Sequence, residues 1–249
     1  MDKRAIHEVG KRLGLLPWQA EKDYLQHLYL RELYSIVGKG LVFKGGTCLQ
    51  KVYGLHRFSR DLDFNAAERF DKKHPVKAAY RLFSYGLAGK VKEKTTDFSV
   101  NFLIVFNSEE MKNSLTIQIS LREKTLLPPH FTVIIPLYDD IPPYSVFSMD
   151  EREIAAEKIR AIMTRGFARD LYDLWYISKK GIQIDKNLVE RKLFEVGMKF
   201  SMKEFKKKVS ECKREWEKEL SIIVPAFPKF TSMQKEIFGF LPQDLKHHP

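Results

Sequence analysis

The apolar positions of this chain change period several times, and each change marks an element. Over residues 4–15 and 19–37 they recur every three to four residues, with Leu25, Leu28, Tyr29, Leu33 and Ile36 as one stripe. Two helices separated by Leu16-Pro17 are expected there, covering one face of a sheet. Leu41, Val42 and Phe43 form a short apolar run that stops at Gly45-Gly46. From Phe58 the period drops to two, placing Phe58, Leu62 and Phe64 on one face of a strand and Ser59, Asp61 and Asp63 on the other. The pattern over 41–64 therefore predicts strand, glycine turn, short helix and second strand. Further on it predicts a helix over 75–90 and a hairpin of strands at 98–106 and 114–122, the latter with Thr116, Gln118, Ser120 and Arg122 sharing a face. Residues 126–145 hold Pro128, Pro129, Pro136, Pro142 and Pro143, which suit a connector with one edge strand at 131–135. Ser148 and Glu151 have the spacing of a capping box that opens a long helix, and the chain from 184 onward reads as helical and charged.

Candidate chemistry gathers in two stretches. Asp61 and Asp63 point the same way, about 7 Å apart along the strand, with no lysine expected beside them on that face. Two carboxylates so placed repel, and a divalent cation, most plausibly magnesium, is the cheapest way to keep both ionised. The glycine pair lets the backbone turn tightly and approach a phosphate closely. In the second stretch Lys158 has Ile154, Ala155, Ala161 and Ile162 as its helical neighbours, so it lies on an apolar face with no carboxylate in helical reach. Its ammonium either snorkels to water or meets a partner from elsewhere. Asp170 and Asp173 lie three apart on one helical face, and Asp170 has Arg165 and Arg169 near in sequence as partners.

Phe43-Lys44-Gly45-Gly46-Thr47 with Arg57-Phe58-Ser59-Arg60-Asp61-Leu62-Asp63-Phe64 resembles the first motif of the DNA polymerase β-like nucleotidyltransferases, and specifically the AbiEii toxins of type IV toxin-antitoxin systems, which include the MenT-like toxins. Ala156-x-Lys158 followed by Arg169-Asp170-x-x-Asp173-Leu174 is similar to the downstream AbiEii motifs. The resemblance spans roughly residues 19–178 and implies an α+β fold: a polymerase β-like core, a mixed sheet flanked by helices, over 1–147, then a helical domain over 148–249 that completes the active site. It implies transfer of NMP from an NTP to an acceptor hydroxyl, with the 3′ end of tRNA as the acceptor. Asp61 and Asp63 would hold Mg²⁺ or Mn²⁺, and Lys44, Gly45, Gly46, Thr47, Ser59 and Lys158 would bind nucleotide. Lys158, Asp173 and Asp170 would join the two metal ligands as catalytic residues. Where such enzymes carry a third carboxylate, this chain has Gln118. Glu21-Lys22-Asp23-Tyr24 also resembles the family at that point; without the resemblance it reads as a solvated first helical turn with an aromatic anchor.

Composition adds a partner and a compartment. A formal charge of +11 over 249 residues favours a polyanion such as RNA. Lys206-Lys207-Lys208, Lys213, Arg214 and Lys218, interleaved with Phe205, Val209 and Trp216, read either as a track for an RNA backbone or as a solvated amphipathic face. Two distant cysteines, Cys48 and Cys212, suggest neither a disulfide framework nor a zinc site, and fit a reducing cytoplasm. No apolar run approaches the roughly 18 residues of a membrane span, and no export signal is expected. A cognate antitoxin is the expected protein partner. The rival readings are a nucleotidyltransferase acting on a protein or small molecule, and a non-catalytic RNA- or partner-binding module on the same scaffold.

Overall fold

The computed structural model describes residues 2–68, 70–108 and 111–246. In chain order its elements are α1 (Lys3–Arg12), α2 (Pro17–Val37), β1 (Leu41–Lys44), α3 (Gly45–Lys51), β2 (Asp61–Ala66), α4 (Lys73–Ser84), β3 (Gly89–Thr95), β4 (Ser99–Asn107), β5 (Lys112–Ser120), β6 (His130–Ile134) and β7 (Tyr144–Ser148). The helices α5 (Glu151–Thr164), α6 (Ala168–Lys179), α7 (Lys186–Phe194), α8 (Met202–Glu211), α9 (Trp216–Leu220), α10 (Phe230–Phe240) and α11 (Gln243–Lys246) follow. The fold is α+β.

Two compact units divide the chain: Met1–Val52 with Phe58–Met149, and Tyr53–Arg57 with Asp150–Pro249. The first holds a seven-stranded mixed sheet in the order β3-β4-β5-β2-β1-β7-β6. β2 runs antiparallel to β1 and parallel to β5, and β4 and β5 form the expected antiparallel hairpin. Leu62, Phe64, Ile117 and Ile119 from β2 and β5 are fully buried, with Tyr34 of α2 against Phe64 and Phe83 of α4 against Phe106 of β4. Period-two burial thus leaves the opposite face of β2 and β5 polar.

Several expectations need correction. β2 begins at Asp61, and both Phe58 and Ser59 are buried in the irregular segment before it, because that segment is held by side chains rather than by a ladder. Two strands escaped the pattern. β3 (Gly-Lys-Val-Lys-Glu-Lys-Thr) is an edge strand almost wholly exposed, so it carries no apolar alternation, and its lysines protect an open edge. β7 lies between β1 and β6, hidden in sequence behind Pro142-Pro143. The cap of α5 is Asp150, whose carboxylate accepts from the Arg152 amide at 2.8 Å, while Ser148 ends β7. The apolar 131–135 segment does form the edge strand β6.

The second unit is helical. Trp216 is its largest fully buried side chain, edge-on to Phe230 at 5.6 Å, with Phe205 and Leu171 also buried. Lys192 of α7 is buried between Glu153 and Glu157 of α5, at 2.7 and 3.0 Å. Among the described residues no helix is long and apolar enough to cross a membrane, and Cys48 and Cys212 are buried free thiols.

Candidate active site

Side-chain hydrogen bonds set the position of β2. Gln26 of α2 donates to the carbonyls of Ser59 (2.9 Å) and Arg60 (3.1 Å), and Gln50 of α3 accepts from the Ser59 amide at 3.0 Å. Thr47 donates its hydroxyl to the Asp61 carbonyl. Both helices therefore grip the start of the strand that carries Asp61 and Asp63. Helices α2 and α3 are themselves joined by buried Asp23, which accepts from Lys51 (2.7 Å), Gln50 (3.3 Å) and Tyr138 (3.0 Å). Burial would raise the Asp23 carboxyl, but the Lys51 charge and the hydrogen bonds from Lys51 and Tyr138 hold the group below the usual range. Burial, with the Lys51 charge added, pushes His27 down to about 3, so this imidazole is neutral and bonded to the Tyr144 hydroxyl at 2.8 Å. The Glu21-to-Tyr24 turn is thus a buried polar anchor, not a solvated one: Lys22 and Asp23 are only 9% and 2% exposed.

On the polar face a row of side chains crosses the sheet. Lys44 of β1, Asp63 of β2, Gln118 of β5 and Asn101 of β4 are successive register neighbours, and Thr116 stands beside Asp61. Residues directly opposed on neighbouring strands share a face. A lysine therefore does stand next to Asp63, contrary to expectation; Lys44 is buried and paired with Glu123. Gln118 is exposed beside Asp63. Gly45 opens α3 at φ 75°, a conformation that favours glycine, and the space a side chain would take there belongs to Asp63.

In the helical unit Lys158 is no snorkelling residue. Its ammonium lies 2.9 Å from Asp170 and 2.6 Å from Asp173, both on α6. Arg57 grips both oxygens of Asp173, at 2.5 and 2.7 Å, and Arg165 grips both oxygens of Asp170, at 2.8 and 3.0 Å. Burial alone would lower the Lys158 pKa, but the two aspartates reverse this and raise it. For Asp170 burial likewise loses to Lys158 and Arg165, which hold its carboxyl far below the ordinary range. The result is a linked chain of three basic and two acidic side chains, buried except for Arg165 at its outer end. Asp173, with both oxygens bound, holds Lys158 and Arg57 together.

The basic C-terminal run is largely paired within itself. Lys207 meets Glu204 (3.7 Å), Lys208 meets Glu211 (3.0 Å), and Arg214 and Lys218 meet Glu215 (3.4 and 3.5 Å), while Phe205, Val209 and Trp216 are buried. Such exposed pairs describe a solvated amphipathic face.

Residues 29–247 match the family described as "Nucleotidyl transferase AbiEii toxin, Type IV TA system". The chain belongs to the AbiEii family. Membership makes it a nucleotidyltransferase and implies an NTP substrate and an antitoxin partner. The AbiEii fold is shared with MenT4, a nucleotidyltransferase toxin from Mycobacterium tuberculosis H37Rv, at TM-score 0.67 and 20% identity, covering 98% of this chain and 90% of that one. It is shared also with JHP933 from Helicobacter pylori, at TM-score 0.59 and 18% identity over 89% of each chain. No curated protein matches by sequence.

Within this AbiEii chain the first unit gathers Lys44, Gly45, Gly46, Thr47, Ser59, Asp61 and Asp63, and the second gathers Lys158, Asp170 and Asp173. Two residues were missed as individuals. Arg57 is legible in sequence only as the first residue of the Arg57-to-Phe64 motif, and nothing in sequence ties it to Asp173. Lys22 had the signal that marked Lys158: it precedes Leu25 and Tyr29 by three and seven residues, on the apolar stripe of its helix.

Proposed function

We propose that this protein transfers NMP from an NTP to the 3′ end of tRNA in the cytoplasm, as the toxin of a type IV toxin-antitoxin pair. The observation that carries this reading is the pair Asp61 and Asp63, which share one face of a strand pinned at its start by Gln26, Gln50 and Thr47. The acceptor oxygen attacks the α-phosphorus, the α–β phosphoanhydride bond breaks, pyrophosphate leaves and the hydroxyl proton is released.

Hard carboxylate oxygens with an amide, Gln118, on the adjoining strand suit magnesium, with manganese as a substitute. Asp61 and Asp63, which share one face of β2, would be its ligands. When bound, such an ion neutralises phosphate charge and acidifies the attacking hydroxyl. Gly45 and Gly46 bring backbone N–H groups close to the phosphates, with Ser59 and Lys44 nearby in the same segment or row. Thr47 contributes indirectly, because its hydroxyl is spent on the Asp61 carbonyl. Lys158 neutralises charge growing on pyrophosphate, and Asp170 and Asp173 hold its ammonium in place.

The choice of tRNA rests on the family resemblance and the charge of +11. Incubating the protein with magnesium, each labelled NTP in turn, and total cellular RNA with total protein tests it. Label in the tRNA-sized fraction is expected; label confined to protein or a small molecule overturns the acceptor, and no incorporation overturns the reaction.

A further inference from the structure

Lys22 is nine-tenths buried, and among the described residues no hydrogen bond or ion pair engages its ammonium. Its place is set by the helix. It stands one turn before Gln26 on α2, and Gln26 holds the carbonyls of Ser59 and Arg60, so Lys22 faces the step from Arg60 to Asp61. Asn113, at the start of β5, donates to the Trp18 carbonyl at 3.1 Å and keeps this half of α2 against the same end of the sheet. The charges that act on Lys22 are the Asp61 carboxylate, which attracts it, and the Arg60 guanidinium, which repels it.

Its stem is buried, and the charge that attracts its ammonium belongs to a carboxylate that is itself a proposed metal ligand. A divalent cation held by Asp61 and Asp63 would neutralise the charge that attracts Lys22 and leave the Arg60 guanidinium to repel it. An anion with several negative oxygens is the group that satisfies all of them together. We infer that Lys22 is a phosphate ligand, its ammonium taking a non-bridging oxygen of the nucleoside triphosphate bound at Asp61 and Asp63. This rests on the proposed reading of those carboxylates as the nucleotide site.

The test compares wild type, Lys22→Met, Lys22→Arg and Asp61→Ala by equilibrium binding of each NTP with magnesium, by RNA binding, by KM and kcat, and by thermal melting. Lys22→Met is expected to weaken NTP binding and raise KM about tenfold or more, as loss of a charge-assisted hydrogen bond does. Lys22→Arg should recover part of the loss, and the melting temperature of Lys22→Met should be unchanged or higher, since no native ion pair is broken. Unchanged NTP affinity in Lys22→Met overturns the assignment. If it comes with a lower melting temperature, the lysine is a structural counter-charge; if with weaker RNA binding, it serves the acceptor. Should Asp61→Ala alone lose NTP, only Lys22 is misassigned. Should Asp61→Ala bind NTP like wild type, or wild type bind none, the nucleotide site itself is wrong and Lys22 falls with it.

Discussion

Gly45 and Asp63 stand so close that a β-carbon on residue 45 would lie 2.6 Å from Asp63 Oδ2 and 3.2 Å from its Cγ. No real β-carbon tolerates the first of these distances, and φ of 75° adds backbone strain for any other L-residue. The glycine is therefore a condition for the carboxylate's position, and not only for the turn. Gly45→Ala is expected to push Asp63 aside, cutting transfer at least about tenfold and destabilising the fold by about 1–2 kcal/mol. Steady-state rates and a denaturant melt check both numbers; a variant with wild-type activity would show that Asp63 need not hold this position.

Asp61 and Asp63 themselves should behave differently from Gly45. Removing one of two like charges on a wet strand face relieves repulsion, so Asp61→Ala or Asp63→Ala should keep its melting temperature in the absence of metal. Transfer should fall by at least about a hundredfold, and the rise in melting temperature that magnesium with NTP gives the wild type should vanish. Lys44 keeps Glu123 as its partner in the Asp63 variant, which is why no collapse is expected. Retention of turnover by both variants would place the metal elsewhere.

How far the sequence carries depends on whether a feature is local. The two faces of Asp61-Leu62-Asp63-Phe64 and the break at Gly45-Gly46 are written in neighbouring residues, so period and turn chemistry were enough. The partners of Lys158 were not: they come from α6, twelve and fifteen residues on and across a turn, where helical spacing gives no contact. The same holds for Lys44 beside Asp63, which depends on an antiparallel register that strand patterns alone do not fix. β3 was invisible because an exposed, charged edge strand has no apolar face to alternate.

Gln118 offers a gain-of-function test. It is the exposed register neighbour of Asp63 on β5, so a carboxylate there would join the same face. Gln118→Glu or Gln118→Asp is expected to shift the magnesium dependence of transfer to lower concentration, by about threefold to tenfold, because an added anion strengthens divalent binding. Superimposable metal titrations for wild type and both variants would put Gln118 outside the metal's surroundings.

Acid should loosen the α2–α3 anchor through His27. Burial, helped by Lys51, lowers its pKa from 6.5 to about 3. Between those values the unfolded chain binds a proton that the native imidazole refuses, so stability falls as pH falls through this window, by up to about 1.4 kcal/mol per unit. Above pH 6.5 the group contributes no slope. Denaturant melts from pH 7.5 to 4.5 should show the decline, and His27→Gln, which cannot titrate, should flatten it even if it starts from a lower value. An equal slope in both proteins would assign the acid sensitivity to other groups.

The segment Tyr53–Arg57 has a consequence for synthesis. It is translated in the middle of the sheet unit's sequence, yet it belongs to the helical unit, where Tyr176 donates to the Tyr53 carbonyl at 2.8 Å and Asp173 takes the Arg57 guanidinium. Those partners leave the ribosome 123 and 116 residues later. At the elongation rate of about 5–20 residues per second, Arg57 waits roughly 6 to 23 seconds for its carboxylate. A nascent chain stopped at residue 149 would hold a guanidinium destined for burial with nothing to bury it against, so the two units cannot mature strictly one after the other. The toxin's sheet can form early, but the loop made within its sequence finds its partners only when α6 has arrived.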